Sequence, residues 1–124
     1  MKPCRSVLVV DDDPAMVECT SALLRQLGFE VFSVQSAIEA LDIVELRTAE
    51  IDLLITDLSM TPINGIELVQ QVRQLRPQTK VIYMSAAPGA DRMSLTGDPS
   101  SPLLQKPFTM QELEVSLRTV WADR

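Results

Sequence analysis

The sequence predicts an α/β fold in which helices cover both faces of one parallel sheet. Short runs rich in Val, Ile and Leu alternate with longer segments that have helical periodicity, and this alternation is typical of β-α-β units. The short runs are almost continuously apolar, as expected for strands that are covered on both faces. We expect strands at residues 6–10, 30–34, 52–56, 80–84 and 103–105.

Four helices are predicted from capping residues and from apolar positions spaced by three or four. The first begins at Pro14 after the cap Asp13 and continues to about Leu27, where Gly28 ends it. The later helices begin at the caps Ser36, Asn64 and Thr109. The side chains expected to face the sheet are Val17, Leu24 and Leu27; Ala37, Leu41 and Val44; Ile66, Val69 and Val72; and Leu113, Leu117 and Val120.

The segment from 86 to 101 does not follow this pattern. It contains two glycines, two prolines and three serines, and only residues 90–95 could form a short helix. We therefore expect a short, mobile segment at this point in the chain.

Composition limits the possible functions. The chain of 124 residues is expected to form a single domain, 1–124, and its net charge of −6 argues against direct contact with nucleic acid or insertion into a membrane. Because there is no histidine, a Ser-His-Asp triad and histidine metal ligation are excluded. Cys4 and Cys19 are expected to be free thiols, which favours a cytoplasmic location.

Polar groups follow four of the five predicted strands. They are Asp11, Asp12 and Asp13 after the first strand, Asp57 after the third, Ser85 after the fourth and Lys106 after the fifth. In an open α/β sheet, ligands bind at the edge formed by the carboxyl ends of the strands. Each residue alone has an ordinary explanation, such as a helix cap at Asp12 or Asp13, but together they indicate a site for a divalent cation and a phosphoryl group.

The chemistry of such a site follows from its charges. Two carboxylates about 4 Å apart repel each other by roughly 4 kcal/mol at an effective dielectric constant of 20, so a bound cation is expected, and Mg²⁺ prefers oxygen ligands. Asp57 would then be a nucleophile that forms an aspartyl phosphate. Lys106 and the Ser85 hydroxyl would contact the phosphoryl oxygens, and the backbone carbonyl of Ser59 is a further candidate metal ligand.

In these features the chain resembles the receiver domain of two-component response regulators. The stretches that carry the resemblance are residues 7–14 (VLVVDDDP), residues 52–60 (DLLITDLSM), Asn64-Gly65, Ser85-Ala86 and Lys106-Pro107-Phe108. They occur in the order and spacing of that family and span nearly the whole chain. The Lys106-Pro107 peptide bond is a candidate cis bond.

The resemblance implies a flavodoxin-like, doubly wound (βα)5 three-layer sandwich with strand order 2-1-3-4-5 and a short or irregular fourth helix. It implies a signalling domain rather than an enzyme, which takes a phosphoryl group from a sensor histidine kinase or a histidine phosphotransfer protein and then changes conformation. The residues it assigns are Asp57 as phosphoacceptor, Lys106 and Ser85 as phosphoryl contacts, and Asp11, Asp12, Asp57 and the Ser59 carbonyl as Mg²⁺ ligands.

The chain departs from the family pattern at several positions. Thr61 stands where a proline often follows the loop methionine, with Pro62 one place later, and Leu103 stands where an aromatic switch residue is usual. The run 103–109 with a weak fourth helix resembles receivers attached to hybrid sensor kinases. Small side chains at Ser59 and Ala87, positions that tune hydrolysis in the family, predict slow self-dephosphorylation.

Two other functions remain open from the residues. Asp11 and Asp13 form an Asp-x-Asp pattern that resembles the haloacid dehalogenase phosphohydrolases, with Asp11 as nucleophile, although Asp57 is then unexplained. A pseudo-receiver that binds a partner without phosphorylation is the second. A flavodoxin-type cofactor domain is disfavoured, because carboxylates stand where a phosphate-binding loop would be.

Overall fold

The computed structural model describes residues 5–46, 50–87 and 95–121. Its parallel sheet has the order β2-β1-β3-β4-β5, as predicted. The strands are β1 (Ser6–Val10), β2 (Glu30–Val34), β3 (Leu53–Asp57), β4 (Lys80–Ser85) and β5 (Leu103–Gln105). Parallel pairing brings the carboxyl ends of these strands to one edge of the sheet.

Three strand boundaries differ from the prediction by one residue. The third strand was expected at 52–56 and the fourth at 80–84, whereas β3 is Leu53–Asp57 and β4 ends at Ser85. Asp57 remains in the sheet because it pairs with Met84, and Ser85 remains because it pairs with Gln105. Both polar residues are therefore held by the sheet rather than by a loop.

The helices begin where the capping residues predicted. They are α1 (Pro14–Gln26), α2 (Ala37–Leu46), α3 (Gly65–Leu75) and α4 (Met110–Val120). Asn64 and Thr109 form complete capping boxes, the Asp13 carboxylate caps α1, and Gly28 has the positive φ of 95° that suits a residue just beyond a helix end. In the described ranges, no helix has the length and apolar character needed to cross a membrane.

The sheet carries a core on each face because successive strand side chains point to opposite sides. Leu8 and Val10 of β1 belong to the core under α2 and α3, whereas Val7 and Val9 belong to the core under α1 and α4. This is the predicted doubly wound, three-layer arrangement. The expected inward positions are buried or partly buried, and all of them except Val17 pack in these two cores.

The connection between β4 and β5 is described only in part. The prediction of a short, irregular segment falls largely on residues 88–94, which lie outside the described residues. The Lys106–Pro107 peptide bond is cis, as predicted, and the Thr61–Pro62 bond is cis as well.

Candidate functional site

Three carboxylates converge at the carboxyl edge of the sheet. Asp11 follows β1, Asp57 ends β3, and these two strands are hydrogen-bonded neighbours with Val10 opposite Thr56. One carboxylate oxygen each from Asp11, Asp12 and Asp57 lies within 4.8 Å of the other two. Asp11 and Asp57 are buried, whereas Asp12 is exposed, so the cluster opens to solvent on the Asp12 side.

Lys106 reaches this cluster from the loop that follows β5. Its Nζ lies 2.8 Å from Oδ2 of Asp11 and 3.3 Å from Oδ1 of Asp57. The lysine side chain is only 12% exposed, so both ion pairs are largely shielded from water. One ammonium group is thus shared by two buried carboxylates that lie far apart in the sequence.

Burial and neighbouring charges shift the pKa values of two groups in this cluster. Burial raises the pKa of Asp57, and the neighbouring Asp11 charge raises it further, while Lys106 opposes the shift. Burial acts to lower the pKa of Lys106, but its hydrogen bond to Asp11 and the charges of Asp57 and Asp11 outweigh burial and raise it. Three carboxylates face one ammonium, and this set of oxygen donors fits a divalent cation such as Mg²⁺.

Asp11 is held in place through both of its oxygens. Oδ1 accepts a hydrogen bond from the Asp13 backbone N–H at 3.0 Å, and Oδ2 accepts from Lys106. The Asp13 carboxylate in turn accepts from the Ala15 N–H, so Asp13 is the cap of α1. The Asp11–Asp13 run therefore divides its roles between the cluster and the helix start.

Ser85 and Lys106 are joined through the backbone. The Lys106 N–H donates to the Ser85 carbonyl at 2.8 Å, while the Ser85 hydroxyl oxygen accepts from the Ala87 N–H at 3.0 Å. Accepting that bond leaves the hydroxyl proton able to donate to another acceptor. Ser85 follows Met84, the pairing partner of Asp57, so it stands at the same edge as the carboxylates.

The remaining predicted positions lie on the solvent side of the edge. Ser59 is two residues beyond β3 and Ala87 is two residues beyond β4, and both are exposed. The structure thus brings Asp11, Asp12, Asp57 and Lys106 into one cluster, with Ser85 at its border. Among the described residues, no contact joins Ser59 to the cluster. The Ser59 carbonyl remains a predicted metal ligand.

Gly65 has a place at the site that the sequence did not predict. A Cβ built on Gly65 would collide with the carbonyl oxygen of Asp57 and would lie 3.0 Å from Cα of Leu58. The Gly65 N–H also donates to the Leu58 carbonyl at 3.0 Å. The start of α3 therefore packs directly on the backbone of Asp57. The Asn64-Gly65 pair signalled a helix start, but no local signal showed this tertiary contact.

Comparison with known proteins shows the family and the fold of this chain. A family model described as "Response regulator receiver domain" matches residues 7–118. The chain is 30% identical over 114 residues to sensor kinase CckA of Brucella abortus, covering 91% of this chain and 12% of that protein. It is 34% identical over 116 residues to the two-component response regulator ORR26 of Oryza sativa, covering 93% of this chain and 19% of that protein.

A solved structure gives the same result for the fold. The response regulator receiver protein from Sinorhizobium medicae superposes with a TM-score of 0.84 at 26% sequence identity, covering 97% of this chain and 96% of that one. The chain spans only a small part of the length of the two curated relatives above, yet it matches an isolated receiver almost completely. The chain belongs to the response regulator receiver domain family and is a receiver domain of two-component signalling.

Proposed function

We propose that this receiver accepts a phosphoryl group on Asp57 from a phosphohistidine of a partner protein, and that this charge changes its conformation. The observation that carries the proposal is the position of Asp57. Asp57 ends the central strand β3, its carboxylate is buried beside that of Asp11, and one of its oxygens lies 3.3 Å from Nζ of Lys106. An acyl phosphate formed on Asp57 would lie close to the ammonium group of Lys106 and to the carboxylates of Asp11 and Asp12.

The transfer is a displacement at phosphorus. A carboxylate oxygen of Asp57 forms the new P–O bond, the P–N bond to the donor imidazole breaks, and the imidazole nitrogen keeps the electron pair. Lys106 faces the oxygens that carry charge in the transition state, and the Ser85 hydroxyl donates to another. Asp57 needs no base, because it reacts as the carboxylate.

The same cluster suits Mg²⁺, which would be held by Asp11, Asp12 and Asp57, with the Ser59 carbonyl as a further ligand. A bound divalent ion supplies neutralisation of the phosphoryl oxygens. Three carboxylates facing one ammonium group support this, and burial together with the neighbouring Asp11 charge raises the pKa of Asp57. The exposed Asp12 provides the side from which a hydrated ion enters.

Asp57 suits the acceptor role better than Asp11 does. Both oxygens of Asp11 are engaged, one by the Asp13 N–H and one by Lys106, and its side chain has no exposed surface. A phosphohydrolase that used Asp11 as nucleophile would have to break both contacts first. We therefore place the phosphoryl group on Asp57.

The donor must lie outside this sequence, because the chain contains no histidine. We propose a sensor histidine kinase or a histidine phosphotransfer protein as the partner. The similarity to a segment of sensor kinase CckA supports a receiver that works within or beside a hybrid kinase. The similarity to the response regulator ORR26 is compatible with a regulator that is separate from its kinase.

Intact mass spectrometry after incubation with phosphoramidate tests the proposal. The wild type should gain the mass of one phosphoryl group with magnesium and lose this gain with a chelator, and Asp57→Asn should gain none. Asp13→Asn is the matched control, because Asp13 caps α1 and should not affect phosphorylation. Modification that persists in Asp57→Asn and disappears in Asp11→Asn would support the phosphohydrolase. No modification in any variant would support a pseudo-receiver.

We further propose that the phosphoryl group is lost slowly. Ser59 and Ala87 are exposed beside the site and offer neither an acid nor an amide to orient an attacking water. The intact mass followed over time in magnesium buffer tests this, and a lifetime of seconds would contradict it. Ser59→Ala is a useful comparison, since it should leave a slow rate unchanged.

A further inference from the structure

A second polar cluster, which none of the predicted site residues joins, centres on the buried Asp98. Its carboxylate lies 2.9 Å from Nη2 of Arg73 and accepts hydrogen bonds from the Tyr83 hydroxyl at 3.2 Å and from the Ser100 hydroxyl at 2.8 Å. The backbone N–H of Ser100 adds another at 3.0 Å. The Asp98 side chain is 11% exposed, so these donors replace the water that the carboxylate has lost.

This cluster joins three separate parts of the fold. Arg73 belongs to α3, Tyr83 belongs to β4, and Asp98 belongs to the connection that leads into β5. Arg73 also donates to the Ser101 hydroxyl oxygen at 3.2 Å, which adds a second contact to the same connection. We call the set of Arg73, Tyr83 and Asp98 the Asp98 latch.

The contacts of Asp98 and Ser101 attach residues 95–101 to α3 and β4. Among these residues only Asp98 and Ser101 are buried, and none belongs to either hydrophobic core. Leu95, the one large apolar side chain among them, is 41% exposed. Because apolar burial contributes little here, the position of this segment depends on the polar contacts of Asp98.

A short path leads from the latch to the candidate site. Tyr83 and Ser85 are two residues apart on β4, so their side chains project from the same face of the sheet. Tyr83 pairs with Leu103, Ser85 pairs with Gln105, and the Lys106 N–H bonds to the Ser85 carbonyl. The same pair of strands therefore carries the tyrosine of the latch and both phosphoryl-contacting residues.

We propose that the Asp98 latch holds residues 95–101 in the unphosphorylated state and opens when Asp57 is phosphorylated, so that Tyr83 reports the state of the site. This inference rests on the proposed function. When Ser85 donates to a phosphoryl oxygen, its hydroxyl moves towards that oxygen, and the Ala87 N–H that donates to the same hydroxyl moves with it, which shifts the chain at the exit of β4. Residues 95–101, at the other end of that connection, are held by the polar contacts of Asp98. These contacts break more readily than the packing of the two hydrophobic cores.

The chain offers a direct probe, because Tyr83 is its only tyrosine. Protein labelled with fluorotyrosine gives one fluorine NMR signal from within the latch. Phosphoramidate with magnesium should shift this signal, and amide hydrogen exchange in residues 95–101 should become about tenfold faster, as expected for local opening. Intact mass on the same samples records phosphorylation independently.

Variants then separate the latch from general packing. Asp98→Asn and Tyr83→Phe keep the size of each side chain and remove one contact, so exchange in residues 95–101 should be fast before phosphorylation. By reciprocity these variants should bind beryllofluoride, which mimics the phosphoryl group, about fivefold more tightly than the wild type in magnesium. Asp42→Asn makes the same carboxylate-to-amide change at an exposed position and should behave as the wild type does.

The outcomes are distinct. A full gain of phosphoryl mass with an unchanged fluorine signal and unchanged exchange would reject the latch while leaving the proposed function intact. Latch variants with wild-type affinity for beryllofluoride would also reject the coupling. No gain of mass in the wild type would refute the proposed function. The proposal that phosphorylation opens the latch would then be refuted as well.

Discussion

Lys106 lies closer to Asp11 than to Asp57, with Nζ 2.8 Å from the first carboxylate and 3.3 Å from the second. The lysine therefore occupies an oxygen of a residue that we assign to the metal. In the metal assignment proposed above, a divalent cation would compete with Lys106 for Asp11, and binding of the cation would release the ammonium group towards Asp57. Lys106 would then lower the metal affinity as well as contact the phosphoryl group.

The first prediction concerns Lys106→Met. Removing the ammonium group should tighten Mg²⁺ binding severalfold, because a positive charge next to the site disappears and Asp11 becomes free. Phosphorylation by phosphoramidate should nevertheless decrease. Isothermal titration calorimetry with magnesium chloride measures the affinity. Lys80→Met, at the opposite end of β4, is the control, and weaker metal binding by Lys106→Met would contradict the competition.

The second prediction concerns the charge of Asp57. Folding raises its pKa above the ordinary value of 3.8, so this group favours folding most at low pH and loses that contribution as the pH rises through the folded pKa. At neutral pH the charged Asp57 therefore opposes folding. Asp57→Asn should increase the free energy of unfolding in a chelating buffer at neutral pH. This increase should be smaller at about pH 4.

Urea unfolding at the two pH values provides the measurement for Asp57→Asn, and the exposed Asp42→Asn is its control. Added magnesium should reduce the difference in unfolding free energy between Asp57→Asn and the wild type at neutral pH. The ion stabilises the folded wild type, which binds it well, more than it stabilises the variant. If the variant is less stable than the wild type under all these conditions, the contacts of Asp57 stabilise the fold by more than its buried charge destabilises it. That result would contradict the prediction.

The third prediction concerns Gly65→Ala. The new methyl group would collide with the backbone carbonyl of Asp57, so α3 or the end of β3 must shift. Overpacking of this kind costs about 1–3 kcal/mol. Phosphorylation by phosphoramidate should also slow, because the shift moves the acceptor.

Gly28→Ala is the matched control for Gly65→Ala. It also destabilises, since Gly28 has a φ of 95°, but a Cβ there has no atom within 4 Å and the residue lies away from the site. Its phosphorylation rate should equal that of the wild type. Equal slowing in both variants would attribute the effect to stability alone.

The fourth prediction concerns two buried hydroxyls of α1. In the described residues, Thr20 Oγ1 and Ser21 Oγ are buried and have no hydrogen-bond partner. Thr20→Val and Ser21→Ala should each stabilise the protein by about 1 kcal/mol, because they remove an unsatisfied polar atom while nearly keeping its volume. Thermal unfolding measures the gain. Thr119→Val, whose exposed hydroxyl donates to Val115, should give none.

The fifth prediction concerns the alkaline titration of Tyr83. Burial raises its pKa to about 12, and the charge of Asp98 contributes to the shift. The stability that comes from this group is full below the unfolded pKa of about 10 and is lost as the pH rises towards 12. Absorbance of the single phenol follows the titration, and Asp98→Asn should lower the pKa. A folded protein that titrates near 10 would contradict the buried contact.

Local patterns accounted for much of the fold. The apolar runs placed five strands within one residue of their observed ends, and the caps at Asp13, Asn64 and Thr109 placed helix starts. Each signal acts over a few residues, so the sequence contains it completely. The polar groups at the strand ends were predictable for the same reason, because parallel pairing sends them all to one edge.

Contacts between distant segments could not be predicted in this way. The preference of Lys106 for Asp11 joins residues separated by 95 positions, and the bond from Tyr83 to Asp98 joins two segments for which no local pattern predicted a contact. The sequence indicated that Gly65 belongs to a helix start. It did not indicate that the missing side chain of Gly65 lets α3 pack against the backbone of Asp57. These features depend on the distances between packed elements.

The sequence by itself therefore determined the order of the elements, their caps and the kinds of side chain at the edge of the sheet, since these follow from local propensity and strand direction. Only the tertiary structure decided which carboxylate Lys106 prefers, why Gly65 lacks room for a side chain and how Asp98 is anchored. The physical reason is that charge pairing and close packing vary with distance over fractions of an ångström, and those distances arise only when the helices pack on the sheet.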